Sequence, residues 1–411
     1  MLSFVPVLSL LFSICSRRTR NSDLCFDMHY CDVLYVARIV LVHTESIIIN
    51  LYLNYLRLYS TIASNMSAPG KDENEEIQPP QRPPSPPPHT TFAARGVHPP
   101  TFSAFKPRDY RMPSTQAMNH VAWNCDGKKL AAVGIDKVTR VWQPEKSMEA
   151  RSAQMFSGGH SDDVDYVSWN PTHPELFCTS SQKDRKIVFW DARQSRNIQS
   201  LSLKASPVFT TYSPDGKSLI FASTISQIYV MQYGKEKEDG KEQWRMSDKE
   251  AVLGSTAVFN HAGDGLVLSH QEQSTLRVMD FPSMITRESP AAHVGGCIAL
   301  AMDPRGRYFA SGGYDSIVNL FDPLEWICAR TITACDFSHD GEYLAIASAG
   351  NYIDICATET GVPLHRIPTL APAPTVSWHP SKYVLAYCGQ TKPREGGPPP
   401  ATFVSLFGLI E

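Results

Sequence analysis

One sequence pattern recurs seven times between about residue 117 and the C-terminal region, and it restricts the fold more than any other feature. Each copy has an apolar run ending in an aromatic residue or Met, then a polar turn, then a second apolar run. The residues that end the first run, called the anchors below, are Trp123, Trp169, Tyr212, Phe259, Met302, Phe337 and Trp378. Their spacings are 46, 43, 47, 43, 35 and 41 residues. Internal repeats of this length are typical of solenoids, propellers or arrays.

Each copy continues into a third apolar run of strand length. The third strands are predicted at Val138–Trp142, Ile187–Trp190, Ile228–Met231, Leu276–Met279, Val318–Phe321, Tyr352–Cys356 and Phe403–Phe407. Turns such as Ser213-Pro-Asp-Gly216 have the residue types of tight hairpins. Three or four strands per copy, without a convincing amphipathic helix, predict an all-β fold, a seven-bladed β-propeller over residues 105–411. One blade cannot bury both its faces, so the ring has to close.

The ends of several third strands carry a more specific pattern. Val188-Phe-Trp-Asp191 ends in a Trp-Asp pair, and Asp136, Asp184 and Asp315 each lie six residues before an aromatic residue. This resembles the WD repeat, in which a loop His, a strand Ser or Thr, a turn Asp and the Trp hydrogen-bond in series. The resemblance implies a structural blade network, with Ser180 or Ser181 as the hydroxyl of blade 2. The candidate residues are His160, Ser180, Ser181, Asp184 and Trp190 in blade 2, Asp136 and Trp142 in blade 1, and His293 and Asp315 in blade 5.

A His, an Asp and a Ser in one blade also invite a catalytic interpretation. We favour the structural brace, because the sequence has no GxSxG, P-loop, Rossmann glycine or HExxH motif and no His set with metal-ligand spacing. The sequence therefore predicts no enzyme and no catalytic, cofactor-binding or metal-binding residue. Its ten cysteines include no CxxC pair, and we interpret most of them as buried thiols.

The first 65 residues differ from the remainder of the chain. Their apolar runs at Leu2–Cys15 and Ile47–Ile62 are each shorter than the ~20 clean apolar residues of a membrane span. The arginines at 17, 18 and 20 follow the first run, whereas the charged flank of a signal peptide precedes it. We predict no membrane segment here.

Met66 begins a stretch of small residues followed by acidic ones. We interpret Met66 as the initiator and residues 1–65 as upstream sequence translated in error, or else as an extension that does not fold. Residues 66–104 are predicted to form a disordered tail, because Gln78–Pro88 is dominated by proline. A solvated linker is the simpler interpretation of this tail, and a ligand for SH3- or WW-type domains is the alternative.

Two features concern how the ring is completed. Phe403–Phe407 is a third strand and the printed sequence ends four residues later, so blade 7 needs an outer strand from elsewhere. Residues 105–113 are the predicted donor of this closing strand.

The second feature is a short junction into blade 6. Phe321 and the next anchor, Phe337, are 16 residues apart, whereas the other junctions from third strand to anchor span 22 to 28 residues. We predict that blade 6 is truncated near residue 334. Either the blade is malformed or the coding sequence has lost the edge of an exon, and we favour the second explanation.

Specific stretches of the repeats resemble the WD-repeat subunit of the THO complex, the third-subunit family, in a fungal-like form. The stretches are His120–Ala131, Gly159–Asp165, Trp169–Phe177, Ala292–Ile298, Asp303–Gly312, Phe337–Ala345, Glu359–Gly361, Thr375–Pro380 and Leu406–Gly408. The likeness covers about residues 105–411. Departures are the long N-terminus, the short junction before blade 6, and the charge run at 235–242, which we interpret as a solvated loop.

The resemblance implies a nuclear complex that couples transcription to mRNA packaging and export. It implies a peripheral scaffold bound by helical, coiled-coil THO subunits, with mRNP and export factors contacted indirectly and no small-molecule substrate. Other WD-repeat adaptors, such as histone-binding or ubiquitin-ligase substrate-receptor propellers, remain the alternative. A net charge of -3 gives little support to direct RNA binding, which we expect to be weak or indirect.

Overall fold

A computed structural model describes residues 98, 100–113, 116–235, 240–270, 272–323, 328–332, 336–347, 349–393 and 399–408. The predictions for residues 1–65, and for most of the tail at 66–104, lie outside the described residues. Residues 333–335, where the truncation of blade 6 is predicted, lie outside them as well.

The described residues form strands joined by turns, with two short 3-10 helices at Phe102–Ala104 and Ala150–Ser152. The strands are β1 (Arg108–Arg111), β2 (Met118–Trp123), β3 (Leu130–Gly134), β4 (Thr139–Trp142), β5 (Gln154–Phe156), β6 (Tyr166–Trp169), β7 (Leu176–Ser181), β8 (Lys186–Asp191), β9 (Asn197–Ser202), β10 (Pro207–Tyr212), β11 (Ser218–Ser223), β12 (Gln227–Gly234), β13 (Gln243–Met246), β14 (Val252–Leu253), β15 (Thr256–Phe259), β16 (Gly265–Ser269), β17 (Arg277–Asp280), β18 (Thr286–Glu288), β19 (Cys297–Met302), β20 (Phe309–Gly313), β21 (Val318–Phe321), β22 (Cys328–Ile332), β23 (Asp336–Phe337), β24 (Tyr343–Ala347), β25 (Tyr352–Ala357), β26 (Pro363–Pro368), β27 (Val376–Trp378), β28 (Leu385–Gln390) and β29 (Thr402–Phe407).

These strands make seven antiparallel sheets, which are the seven blades. Blades 1 to 6 are β2–β5, β6–β9, β10–β13 with β14 added, β15–β18, β19–β22 and β23–β26, and blade 7 is β27–β29 with β1. Within each blade we call the strands a, b, c and d from the anchor strand outwards. The predicted all-β, seven-bladed propeller is therefore confirmed, and no α-helix occurs in the part of the chain that the structure describes.

The hydrophobic core lies between neighbouring blades. Val133 and Val141 of blade 1 pack in one cluster with Trp169, Phe177 and other residues of blade 2. The central strands b and c are buried on both faces, which explains their near-continuous apolar sequence. Each fully buried side chain of this kind contributes about 1.5–3 kcal/mol through removal from water, so every blade depends on its neighbours.

Blade 7 combines the two ends of the repeat region. β1 pairs with β29 in an antiparallel register that matches Arg108 with Leu406 and Arg111 with Phe403. The hydroxyl of Ser405 also donates to the carboxylate of Asp109. The segment predicted at 105–113 thus contains the outer strand of blade 7, and the pairing removes an open sheet edge.

The N-terminal boundary of the propeller needs a correction. We predicted a disordered tail up to residue 104, but Phe102 is only 5% exposed and its ring lies 5.0 Å from that of Tyr343 in blade 6. Phe105 packs against Phe407 of blade 7 with ring centroids 5.7 Å apart. These two aromatic residues follow the proline-rich stretch and supply the apolar area that the prolines lack. The packed region therefore begins at or before Phe102.

Blade 6 has the shortest described inner strand. β23 has two residues, whereas the inner strands of the other blades have three to six. The blade still forms a four-stranded sheet, in which Asp336 pairs with Ala345 and Phe337 pairs with Leu344. The prediction that sequence is missing near residue 334 stays a prediction.

The loops define two faces of the ring. β14 precedes strand a of blade 4 and pairs with the first residues of β12, which follow the b–c turn of blade 3. The d–a and b–c loops therefore share one face, called the upper face, and the a–b and c–d turns share the opposite, lower face. No helix among the described residues is long and apolar enough to cross a membrane.

Candidate functional site

Blade 2 holds a continuous hydrogen-bonded network. The Nδ1 of His160 in the d–a loop lies 3.0 Å from Oδ2 of Asp184 in the b–c turn. Its Nε2 lies 2.8 Å from the hydroxyl of Thr179 on strand b. That hydroxyl also accepts the indole N–H of Trp190 on strand c at 2.8 Å. The network therefore joins one loop, one turn and two strands of the same blade.

The protonation states follow from these contacts. Burial lowers the pKa of His160 despite the opposing charge of Asp184, so the imidazole is neutral near pH 7. A neutral ring can donate from Nδ1 to Asp184 and accept the proton of Thr179 at Nε2. The Thr179 oxygen is then free to accept from Trp190. Every polar atom in the series has a partner, which is the condition for a stable buried network.

The hydroxyl of this network is a correction to the sequence prediction. We predicted Ser180 or Ser181, but the network uses Thr179. Ser180 lies on the other side of the strand, because successive side chains of a strand point to opposite faces. Its hydroxyl is buried and has no hydrogen-bond partner among the described residues. The Ser181 hydroxyl instead accepts the backbone N–H of Asp184 at 3.4 Å.

The strand register identifies the position of the network hydroxyl, which the sequence pattern alone does not. The network hydroxyl lies two residues after the strand-b partner of the anchor, and Phe177 is that partner in blade 2. The equivalent residues in blades 1 and 3 to 7 are Ala132, Phe221, Leu268, Ser311, Ile346 and Tyr387. Only blades 2 and 5 have a Ser or Thr there.

Blade 5 has a shorter form of the same network. The Nδ1 of His293 lies 3.1 Å from Oδ1 of Asp315, and its Nε2 lies 2.8 Å from the hydroxyl of Ser311. The residue equivalent to Trp190 is Phe321, which is buried and whose side chain has no N–H to donate. The series in blade 5 therefore ends at the hydroxyl.

Blade 1 does not join its predicted residues into one network. Asp136 forms an ion pair of 2.6 Å with Arg140. The indole N–H of Trp142 donates to the backbone carbonyl of Glu149 at 3.1 Å. Because Ala132 occupies the hydroxyl position, no side chain connects the aspartate with the tryptophan.

The blade 2 trio is suited to bracing rather than to chemistry. The side chains of His160 and Asp184 are 1% and 2% exposed, and Thr179 is fully buried. A substrate has no access to the Thr179 oxygen, whose hydrogen bonds are already used. Within the described part of the chain, no group of three or more His, Cys, Asp or Glu side chains could hold a metal ion.

The lower face carries a second set of contacts, which the sequence analysis missed. Side chains of the a–b turns reach the turn of a neighbouring blade at six of the seven junctions. The contacts are Asn124 Nδ2 to Pro174 O (2.9 Å), Asn170 Nδ2 to Gly216 O (3.2 Å), His261 Nε2 to Asp303 O (2.7 Å), Arg307 Nη2 to Gly341 O (2.9 Å), Tyr383 Oη to Asp340 Oδ2 (2.6 Å) and His379 Nε2 to Gly127 O (3.0 Å). We call this set the turn ring.

The turn ring explains the glycines of the a–b turns. Gly127 has φ +72° and Gly341 has φ +66°, a region that side chains with a Cβ rarely adopt. A Cβ on Gly127 would also clash with the His379 ring, and one on Gly341 would clash with the Asp303 carboxylate. Because His379 belongs to blade 7 and Gly127 to blade 1, the turn ring also crosses the seam where the propeller closes.

The densest part of the turn ring lies between blades 5 and 6. Arg307 donates to the fully buried carboxylate of Asp303 at 3.0 Å and to Glu342 at 3.2 Å. Arg305 also donates to Glu342 at 2.9 Å, and Tyr308 donates to Glu359 at 3.1 Å. The two blades with the shortest connection are thus joined by buried carboxylates paired with partly exposed arginines.

The inner strands line the ring on the inside with partly exposed residues. At the position three residues before the anchor, blades 1 to 3 have His120, Tyr166 and Phe209. These rings lie in sequence around the ring, with centroid distances of 3.7 Å from His120 to Tyr166 and 5.4 Å from Tyr166 to Phe209. Burial lowers the pKa of His120 to about 3, so its ring is uncharged near pH 7.

The comparisons with known proteins agree with this architecture. The WD domain, G-beta repeat family matches residues 110–143, 152–191 and 287–322, which contain the three turn aspartates of blades 1, 2 and 5. The β-propeller domain of Cps50 (Swd1) from Myceliophteria thermophila superimposes with a TM-score of 0.59 at 17% identity. It covers 72% of this chain and 99% of that domain, a likeness of fold alone.

Two curated relatives share sequence over most of the propeller. "THO complex subunit 3" of Arabidopsis thaliana is 32% identical over 298 residues, 71% of this chain and 92% of that protein. "WD repeat-containing protein AAC3" of Dictyostelium discoideum is 23% identical over 321 residues, 70% of this chain and 64% of that protein.

Blade count, turn aspartates and bracing networks define the molecule as a WD-repeat β-propeller. Within that class, the chain belongs to the THO complex subunit 3 family.

Proposed function

We propose that this chain is a non-catalytic scaffold subunit of a nuclear THO-type complex, which couples transcription to mRNP assembly and mRNA export. The observation that carries the proposal is the similarity to "THO complex subunit 3" over 92% of that protein's length. A similarity of this extent includes loops of both faces, where WD-repeat propellers place their contacts.

The distribution of polar groups supports a scaffold. The His and Asp side chains that could have suggested hydrolysis are enclosed inside blades 2 and 5 and hydrogen-bonded there. The exposed surface instead offers apolar side chains on upper-face loops, with Val294 93% exposed, Ile225 65% and Tyr314 59%. Exposed apolar groups on a rigid support are typical of protein-binding surfaces.

The partners that we propose are the other, helical subunits of the THO complex. We propose that mRNP and export factors are contacted indirectly, through those subunits. The net charge of -3 gives the propeller no overall attraction for RNA, so we expect RNA binding to be weak or indirect.

Affinity purification of the tagged chain from its own cells, followed by mass spectrometry, tests the proposal. We expect large coiled-coil THO subunits in stoichiometric amounts, and their loss when the upper-face residues Ile225, Val294 and Tyr314 are changed together to Ser. A triple change of Met155, Ile198 and Met246 to Ser, which are 42% to 52% exposed on the outer strands of blades 1 to 3, is the control. Recovery of histones or a ubiquitin-ligase scaffold instead would assign the chain to the other adaptor class.

A further inference from the structure

A cavity of about 320 Å³ lies at the lower-face end of blade 1. Its lining includes two lysines and four neutral polar residues, and no carboxylate is among the residues that line it. The six polar residues are Lys129, Lys146, Gln143, Gln154, Ser147 and Ser152. The volume is at the small end of the range of ligand-binding pockets, which suits a single side chain or a small polar group.

The strand register places this cavity on the face of blade 1 that packs against blade 2. Val141, the one apolar lining residue, belongs to the core cluster shared by the two blades and pairs with Gln154 of strand d. Gln143 follows Val141 by two residues, so its side chain is on the same face. The Nζ of Lys129 lies 2.6 Å from Oε1 of Glu175 in blade 2. The cavity is therefore next to the junction between these two blades, below their apolar cluster.

Several polar groups that line the cavity are not used by the protein itself. The ammonium of Lys146 and the side-chain amides of Gln143 and Gln154 have no hydrogen-bond or ion-pair partner among the residues that the structure describes. The ammonium of Lys129 has three N–H groups, and the ion pair with Glu175 occupies one of them. The walls therefore offer two ammonium groups and two amides to a ligand.

The charge at the walls is positive. The nearby carboxylates of Glu145 and Glu149 are paired with cations that do not line the cavity, Lys382 at 3.1 Å and Arg151 at 2.6 Å. Because Lys146 has no such partner among the described residues, its charge is available to an anion. The same carboxylates surround the cavity, and they oppose the approach of a long polyanion such as RNA. A compact anion fits these charges better.

We infer that this cavity binds a phosphate monoester, carried by a phosphorylated serine or threonine of a partner protein. Such a group has about 1.5 to 2 negative charges near pH 7 and three acceptor oxygens, which match the two ammonium groups and two amides. A carboxylate has one charge and two oxygens, so it would leave part of the donors unused. The site goes beyond the proposed function, whose contact residues lie on the upper face.

Three synthetic peptides test the inference on the full chain. Each is a Gly-rich nonamer whose central residue is phosphoserine, glutamate or serine. In isothermal titration calorimetry at pH 7.5 we expect saturable binding of the phosphoserine peptide, roughly tenfold weaker binding of the glutamate peptide, and none of the serine peptide. Binding of phosphoserine should weaken at pH 5.5, because its second pKa is about 6. No binding of phosphoserine, or equal binding of glutamate, would overturn the inference. A single-stranded RNA that binds more tightly than phosphoserine would overturn it as well.

Three variants locate the site. Lys146→Ala should weaken binding of the phosphoserine peptide roughly tenfold and Gln154→Ala roughly threefold, and because both side chains are exposed, the melting temperature should not change. Lys128→Ala is the matched control, since it removes the same charge from a lysine that is 68% exposed, pairs with Asp126 and does not line the cavity. An equal loss of binding in Lys128→Ala would indicate general charge attraction and overturn the site. THO subunits should still purify with the Lys146→Ala chain, which separates failure of this site from failure of the complex.

Discussion

Blades 2 and 6 are built from the same four strands but are stabilised in different ways. Blade 2 has an inner strand of four residues and its own network, which runs from His160 to Trp190 inside the blade. Blade 6 has an inner strand of two residues and Ile346 at the network position. Beside internal contacts such as the Asp354–Arg366 ion pair, it receives contacts from outside. These come from Arg307 of blade 5, Trp378 and Tyr383 of blade 7, and the N-terminal Phe102. A propeller blade can therefore be stabilised from within or by its neighbours.

The largest effect should come from the charges between blades 5 and 6. Asp303→Ala removes the fully buried carboxylate of blade 5 that pairs with Arg307, the residue that donates to Gly341 and Glu342 of blade 6. We expect a loss of about 4 kcal/mol in the free energy of unfolding, measured by urea denaturation. Asp354→Ala breaks a more exposed ion pair with Arg366 on the outer strands of blade 6 and should lose less than about 1 kcal/mol. Equal losses would contradict the neighbour-dependent account of blade 6.

The next effect concerns the N-terminal segment. Phe102→Ala removes a ring that packs on Tyr343, and we expect a loss of about 3 kcal/mol. Hydrogen exchange should then increase in β24 and β25 more than in β7 and β8. Ile198→Ala, at a half-exposed position on the outer strand of blade 2, serves as the control and should change stability little. A uniform increase in exchange across blades 2 and 6 would count against a local role for Phe102.

The internal network of blade 2 should give a smaller loss. Thr179→Val keeps the shape of the side chain but leaves the ring nitrogen of His160 and the indole N–H of Trp190 without a partner. We expect about 2 kcal/mol of destabilisation in urea. Ser180→Ala, one residue away, removes a hydroxyl without a described partner and should be nearly neutral. The opposite ranking would restore the original prediction of Ser180 as the network hydroxyl.

The smallest effect depends on pH. Burial raises the pKa of Asp336 to about 6, so the folded state retains this proton to a higher pH than the unfolded chain. The contribution of Asp336 to stability therefore falls as the pH rises from about 4 to 6, and stays low above 6. Asp336→Asn should match the stability of the parent chain at pH 4 and exceed it at pH 7.5, where Asp336 is charged in the parent. The expected gain is only on the order of 1 kcal/mol, because the side chain is partly exposed and solvent screens its charge. A constant difference at all pH values would exclude titration of Asp336 as the cause.

The fold was largely predictable because its information is local and periodic. All seven third strands were placed within a few residues, since each is an apolar run beside a recognisable turn. The Asp of the blade 2 network was also accessible, because it lies six residues before Trp190, as the equivalent Asp does in blades 1 and 5.

The parts that the sequence did not reveal depend on strand register or on distant residues. Choosing Thr179 over Ser180 requires knowing which residue pairs with which, since a one-residue slip reverses the face of every side chain. The turn ring joins residues such as His379 and Gly127, 252 positions apart, and no local pattern indicates that contact. Phe102 was assigned to the tail because its proline-rich neighbours dominated the composition.

The pairing of β1 with β29 must wait until the end of synthesis of the propeller. Phe403 follows Arg111 by 292 residues, so the first strand of the propeller is synthesised long before its partner exists. At about 5–20 residues per second, the nascent chain waits roughly 15 to 60 s before the ring can close. During that interval six blades can form, while Phe105 still lacks Phe407 of blade 7 to pack against. A ribosome that stalls within blade 7 would therefore hold an open ring, with an unpaired edge available to chaperones or to another copy.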